Sequence, residues 1–202
     1  MVSRSTNLNH DQMAQRFARC VMSTFLIKSS LFSMVILSAV TLTACQGLNM
    51  GRHTHAQAQL QARSDSQVQG QVTFNKAKQG LRVAINVSGL TPDQSHAIHV
   101  HANGDCSAAD AASAGGHFNP DNQVHGANHT PTHHAGDLPN LVADEQGRAV
   151  IEFWVKDLSL DNGASTDIKG RSVVVHERAD DDQSQPAGNA GNRIACGVIK
   201  MV

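Results

Sequence analysis

Val68-Gln-Gly-Gln-Val-Thr-Phe74 and Leu81-Arg-Val-Ala-Ile-Asn-Val87 both alternate apolar and polar residues, with Lys78-Gln79-Gly80 between them. Successive side chains on a strand point to opposite faces, so each segment presents one face to water and one to a core. The pair reads as a hairpin closed by a glycine turn. Working outward, Ser95 to His101, Ala149 to Val155, Arg171 to His176 and Ile194 to Ile199 are four more strand candidates. Ala58-Gln-Leu-Gln-Ala62 reads as a first strand, and a weak one is expected between Leu138 and Ala143. No long amphipathic helix interrupts them. About eight strands with no helix to cover them imply an all-β sandwich or closed barrel. Two long Gly-, Asn- and Asp-rich stretches, 102–137 and 177–192, break the strand pattern. Loops of that length in a compact domain usually carry function.

The chain before these strands has a different character. Leu31 to Leu42 is apolar and uncharged, follows Lys28, and is too short to cross a bilayer comfortably. It has the length of a signal-peptide apolar region. Its end, Leu42-Thr43-Ala44-Cys45, resembles a bacterial lipobox, in which Cys45 would be lipidated and become the first mature residue. Gln46 after the cysteine implies, by the same resemblance, an outer-membrane destination on the periplasmic side. The expected organisation is a signal segment at 1–44, a lipidated Cys45 with a polar tether to 57, and one domain at 58–202. His53 and His55 read as part of that solvated tether.

Of 16 basic and 17 acidic residues, four and one lie up to Ala44, which leaves the remainder at a net charge of −4. No basic patch appears, which argues against a nucleic-acid partner. Two cysteines remain in the body, Cys106 and Cys196. In an exported domain the compartment is oxidising, so the two are expected to pair.

Nine of the 12 histidines lie between His96 and His176, and a metal-ligand residue so concentrated suggests a site. In His99-Val100-His101 the two imidazoles share one face of a strand, while Val100 enters the core. Gly115-Gly116-His117-Phe118-Asn119-Pro120 is followed by His125 and by His134-Ala-Gly-Asp137, with spacings of eight, nine and three residues. Three imidazoles and one carboxylate suit a tetrahedral zinc, and a loop this polar could draw its order from a metal. Gly170-Arg-Ser-Val-Val-Val-His176 is a strand that ends in a histidine. Gly188-Asn-Ala-Gly-Asn-Arg-Ile-Ala-Cys-Gly-Val-Ile199 then presents Arg193 and Cys196.

Together these segments resemble the copper/zinc superoxide dismutase family, from Val68 to Ile199. The resemblance implies an eight-stranded Greek-key barrel holding one copper and one zinc per chain. His99, His101 and His176 would be copper ligands, and His117 a fourth shared with zinc. His125, His134 and Asp137 would complete the zinc site. Asp180 would link the outer nitrogens of His99 and His125. Arg193 would stand at the mouth of the copper channel, and Cys106 and Cys196 would form the disulfide that ties the first long loop to the barrel. The implied reaction converts superoxide to oxygen and hydrogen peroxide, with the copper changing oxidation state and the zinc structural.

Some features depart from any one branch of that family. The spacing around Cys106 resembles bacterial members, whereas His176-Glu-Arg-Ala-Asp180 resembles animal and plant ones, so monomer and homodimer both stay open. Pro186 stands where animal and plant enzymes often carry a lysine, which implies weaker steering of the anionic substrate. His96, His129 and His133 are extra, and His133 is an alternative to His134, although the Gly-Asp spacing favours His134. A metal buffer built on the same domain would be expected to have lost ligands or Arg193; here all seven ligand positions and the arginine are present.

Overall fold

A computed structural model describes residues 55–202; the expected signal segment and Cys45 lie outside the described residues. The described chain is nearly all strand: β1 (His55–Ala62), β2 (Gln69–Lys76), β3 (Leu81–Ser88), β4 (Ser95–His96), β5 (Ile98–His101), β6 (Leu141–Val142), β7 (Arg148–Val155), β8 (Ser172–His176) and β9 (Arg193–Met201). One short 3-10 turn, Ala112–Ala114, is the only helical element among the described residues. Seven strands form one antiparallel sheet in the order β5-β8-β9-β1-β2-β3-β7, and β4 pairs with β6 beside it. From β3 the chain crosses to the far edge of the sheet, where it makes β5 between the paired strands β4 and β6, and returns as β7 alongside β3. This long return is the Greek-key connection, and it carries the first long loop out to one end of the curled sheet.

The alternation read from the sequence is the packing observed. Val83, Ile85 and Val87 of β3 are buried between exposed or half-buried neighbours, and Val72 and Phe74 face them from β2. Ala56, Ala58, Leu60, Val100, Val173, Val175, Ala195 and Ile199 extend the same core. Each large apolar side chain taken from water contributes about 1.5–3 kcal/mol. The β2–β3 hairpin closes at Gly80 with φ 68, where Ala77 donates to its carbonyl.

Three sequence expectations change in detail. The first strand begins at His55, so His55, Ala56 and Gln57, expected in the tether, pair with Asn75, Phe74 and Thr73. The strand expected over Ser95 to His101 breaks at Ala97. There the backbone leaves β6 and bonds instead across the end of β8, accepting from His176 N and donating to Arg178 O, both at 2.8 Å. The weak strand near Leu138 to Ala143 contracts to Leu141–Val142.

A third long connection, 156–171, was not singled out in the sequence. Its organiser is the Asp167 carboxylate, which accepts from the backbone N–H groups of Asp161, Asn162, Gly163 and Lys169 at 2.9–3.0 Å.

Candidate metal centre

The centre is built on β5 and β8, at the edge of the sheet. His99 and His101 sit on one face of β5, while Val100 is fully buried in the core on the other. The first long loop then lies along the free edge of β5. Val100 N donates to Gly136 O at 2.9 Å, Phe118 N donates to Val100 O at 2.8 Å, and Gly136 N donates to Phe118 O at 2.9 Å. A Cβ at Gly136 would collide with the Val100 carbonyl, which explains a glycine there. This docking places His117 opposite His101, and Asp137 opposite His99, as isolated bridges. Arg171, just before β8, stacks its guanidinium 3.6 Å from the centre of the Phe118 ring and bonds to Ala102 O, so the same loop is gripped from that side as well. A β-bulge at Val175/His176 brings His176 into register with Arg193.

Two groups of potential ligands result. His99, His101, His117 and His176 bring their ligand atoms within 4.8 Å of one another, and so do His117, His125, His134 and Asp137. His117 belongs to both. Its Nδ1 lies 2.8 Å from Asp137 Oδ1 and 3.4 Å from His134 Nδ1. Its Nε2 is buried and has no hydrogen-bond partner. His99 Nδ1 is equally buried and unpartnered, because His99 spends its other nitrogen on Asp180 Oδ2 at 2.7 Å. His101 donates through Nδ1 to Gly115 O at 2.9 Å, which leaves its Nε2 facing His176 Nε2 at 3.4 Å. In the second group His125 Nδ1 stands 3.1 Å from Asp137 Oδ2, but out of line for a hydrogen bond.

Buried nitrogens that converge without donors between them are costly, and a cation is the group that satisfies all of them at once. The donor chemistry fits two different ions. Four imidazoles suit a metal with two accessible oxidation states, such as copper, and three imidazoles with one carboxylate suit zinc.

The charges follow the same plan. Burial, reinforced by neighbouring imidazoles, holds His101 and His176 well below the usual histidine range. Burial likewise brings His117 down to about 4 against the pull of Asp137. Neutral rings keep the lone pairs that ligation needs. Burial opposes charge on His125, yet Asp137 and Asp180 raise it to about 10. Burial alone would raise Asp137, but the bond from His117 and the close approach of His125 and His134 hold it well below the carboxylate range. Asp180 is held low in the same way by His125 and His99.

Asp180 connects the two groups: its second oxygen accepts from His125 Nε2 at 2.9 Å. Arg193 lies in a cleft of about 690 Å³ that is also lined by His101, His117, His176 and Arg178. The disulfide joins Cys106 to Cys196.

The family description "Copper/zinc superoxide dismutase (SODC)" matches residues 68–199, well over half of the chain. The chain belongs to the copper/zinc superoxide dismutase family. Among superoxide dismutases, one from Aquifex aeolicus is 36% identical over 140 residues, covering 68% of this chain and 82% of its own length. One from Caulobacter vibrioides is 40% identical over 141 residues, covering 67% and 80%. The crystal structure of a superoxide dismutase-like protein from Bacillus subtilis superposes with a TM-score of 0.64 at 37% identity, covering 70% and 96%.

The histidine left as an alternative ligand, His133, turns away: its ring bonds to His134 O at 2.7 Å and faces Asp157 at 3.5 Å. Sequence reading left three supporting residues without a role. His96 is buried, and its Nδ1 donates to the carbonyl of His176 at 3.0 Å. Gln185 brackets the backbone of His125, accepting from its N–H and donating to its carbonyl, both at 2.9 Å. Asn140 does the same for Asp180, at 2.8 and 3.0 Å. Nothing local marks them, since their partners lie 40 to 80 positions away.

Proposed function

We propose that the protein dismutes superoxide with a copper held by His99, His101, His117 and His176, beside a zinc held by His117, His125, His134 and Asp137. The observation that carries this reading is the complete pair of ligand groups sharing His117, with Arg193 in the same cleft. A metal buffer needs the ligands; it does not need a guanidinium fixed in the opening.

When bound, copper supplies reversible one-electron chemistry and zinc a fixed positive charge that orders the loop. Over a full cycle one superoxide loses its electron and leaves as oxygen. A second gains that electron and two protons and leaves as hydrogen peroxide. Arg193 binds the anion and orients it, its guanidinium offering both charge and N–H donors. His117 Nε2 is the atom suited to hold a proton and hand it to the departing peroxide. Asp180 keeps His99 and His125 oriented by their outer nitrogens. The positive field at the cleft offsets a body of net negative charge and draws the anion in.

By the same reading the protein is exported and held to the outer membrane by a lipid on Cys45, protecting the envelope from superoxide. The apolar segment before Leu-Thr-Ala-Cys45 supports this location. The deciding experiment measures metal content and superoxide-dependent turnover on one purified sample loaded with copper and zinc. One copper and one zinc per chain with rapid turnover is the expected result. Full loading without turnover would instead make the domain a metal buffer.

A further inference from the structure

The turn between β1 and β2, Arg63 to Ser66, lies outside the segment that matches the family, yet it bonds directly to the backbone that carries Arg193. Ser64 Oγ donates to the carbonyl of Arg193 at 2.9 Å. Arg63 N and Ser66 Oγ both donate to the next carbonyl, that of Ile194, at 2.9 and 2.5 Å. Ser64 and Asp65 hold φ of 51° and 59°, a conformation that non-glycine residues adopt only when their surroundings impose it.

The same turn also grips the loop on the far side of Arg193. Arg63 donates through Nε and Nη2 to the carbonyl of Cys106, at 3.0 and 2.6 Å, and Ser64 N donates to Ala109 O at 2.9 Å. Further along that loop, Ala111 O and Gly115 O accept from the two terminal nitrogens of Arg193, both at 2.7 Å. One short turn therefore holds both ends of the arrangement: the backbone from which the Arg193 side chain leaves, and the loop whose carbonyls hold its guanidinium.

We propose that Arg63 and Ser64 are positioning residues for Arg193, setting where its guanidinium stands beside the copper ligands. This rests on the reading of Arg193 as the anion-binding group. A long arginine side chain has many rotamers, and two carbonyls select one only while the loop bearing them stays in register with the strand. The bidentate contact of Arg63 to Cys106 O is what ties that loop to the end of β1. The Cys106–Cys196 disulfide ties it to β9.

The test is azide binding to the full chain loaded with copper and zinc, followed through the copper–azide absorption band. Arg193→Ala serves as the reference. Copper and zinc contents and the ligand-field spectrum should be unchanged in Arg63→Ala and Ser64→Ala. The azide dissociation constant should rise about fivefold in Arg63→Ala and about twofold in Ser64→Ala. Arg63→Lys, which keeps the charge and one donor, should fall between the unsubstituted protein and Arg63→Ala. Azide binding equal to the unsubstituted protein in both variants, with Arg193→Ala clearly weaker, overturns the positioning role alone. Unaltered binding in Arg193→Ala overturns the anion site, and the positioning role with it. Should Arg63→Ala lose copper, Ser64→Ala, which removes one surface hydroxyl, decides the matter.

Discussion

Arg193 and His101 hydrogen-bond to the same atom, the carbonyl oxygen of Gly115, at 2.7 and 2.9 Å. The shared acceptor fixes two things together: the guanidinium in the cleft, and the His101 tautomer that leaves Nε2 toward His176.

Replacing Arg193 by Ala should lower turnover about tenfold at low salt and flatten its dependence on ionic strength. Metal content should hold, since His101 keeps its bond to Gly115. Arg193→Lys should recover part of the rate but not the geometry, because an ammonium lacks the planar fork whose two terminal nitrogens donate separately to Ala111 O and Gly115 O. Stopped-flow rates over a salt series measure this; a salt response identical to the unsubstituted protein would place the steering elsewhere.

Asp180 braces both ligand groups through His99 and His125, so Asp180→Ala should weaken copper and zinc alike, by about 10- to 100-fold. Gly188→Ala should act in the same direction, because a Cβ there would fall on Asp180 Oδ1 in a backbone with φ 65. Competition against chelators of known affinity reads both metals. Loss of only one would show that the carboxylate serves a single site.

His176 belongs to the first ligand group and not to the second. His176→Ala is expected to abolish copper binding and turnover while zinc stays near one per chain. Metal analysis of the dialysed protein tests it, and turnover that survives would sink the copper assignment.

The Asp167 carboxylate organises the connection 156–171, and its four hydrogen bonds all stay within that connection. After allowance for solvent screening, Asp167→Ala should cost about 1–2 kcal/mol. At this chain size that lowers Tm by roughly 2–8 °C. Burial would raise this carboxyl, but the backbone N–H groups of Lys169, Gly163, Asn162 and Asp161 depress it. A depressed acid contributes its stability above the ordinary carboxylate range and loses it as pH falls through and below that range. The Tm gap between the two proteins should therefore be full near neutrality and close toward acid. A gap independent of pH would show that packing, not the charge, sets the effect.

The strands were legible because their cause is local. In β2 and β3 each apolar residue alternates with a polar one, and the period alone assigns the faces. The single break within an expected strand, at Ala97, was not legible, because it arises from competition between β6 and the end of β8 for the same backbone. His133 and His134 are adjacent imidazoles with the same chemistry in sequence. The Gly-Asp spacing favours His134, and the structure shows why His133 stands aside: its ring bonds to its neighbour's carbonyl and faces Asp157.

What the sequence by itself determined is the all-β class and the inventory of donors, because strand period and ligand spacing are properties of neighbouring residues. The tertiary structure alone decided which nitrogen each imidazole turns inward and where His133 goes instead. It also decided that Arg63, Gln185 and Asn140 hold the residues around the two ligand groups. Those outcomes depend on hydrogen bonds between side chains and backbone far apart in the chain, and no local pattern records such a pairing until the fold brings its two ends together.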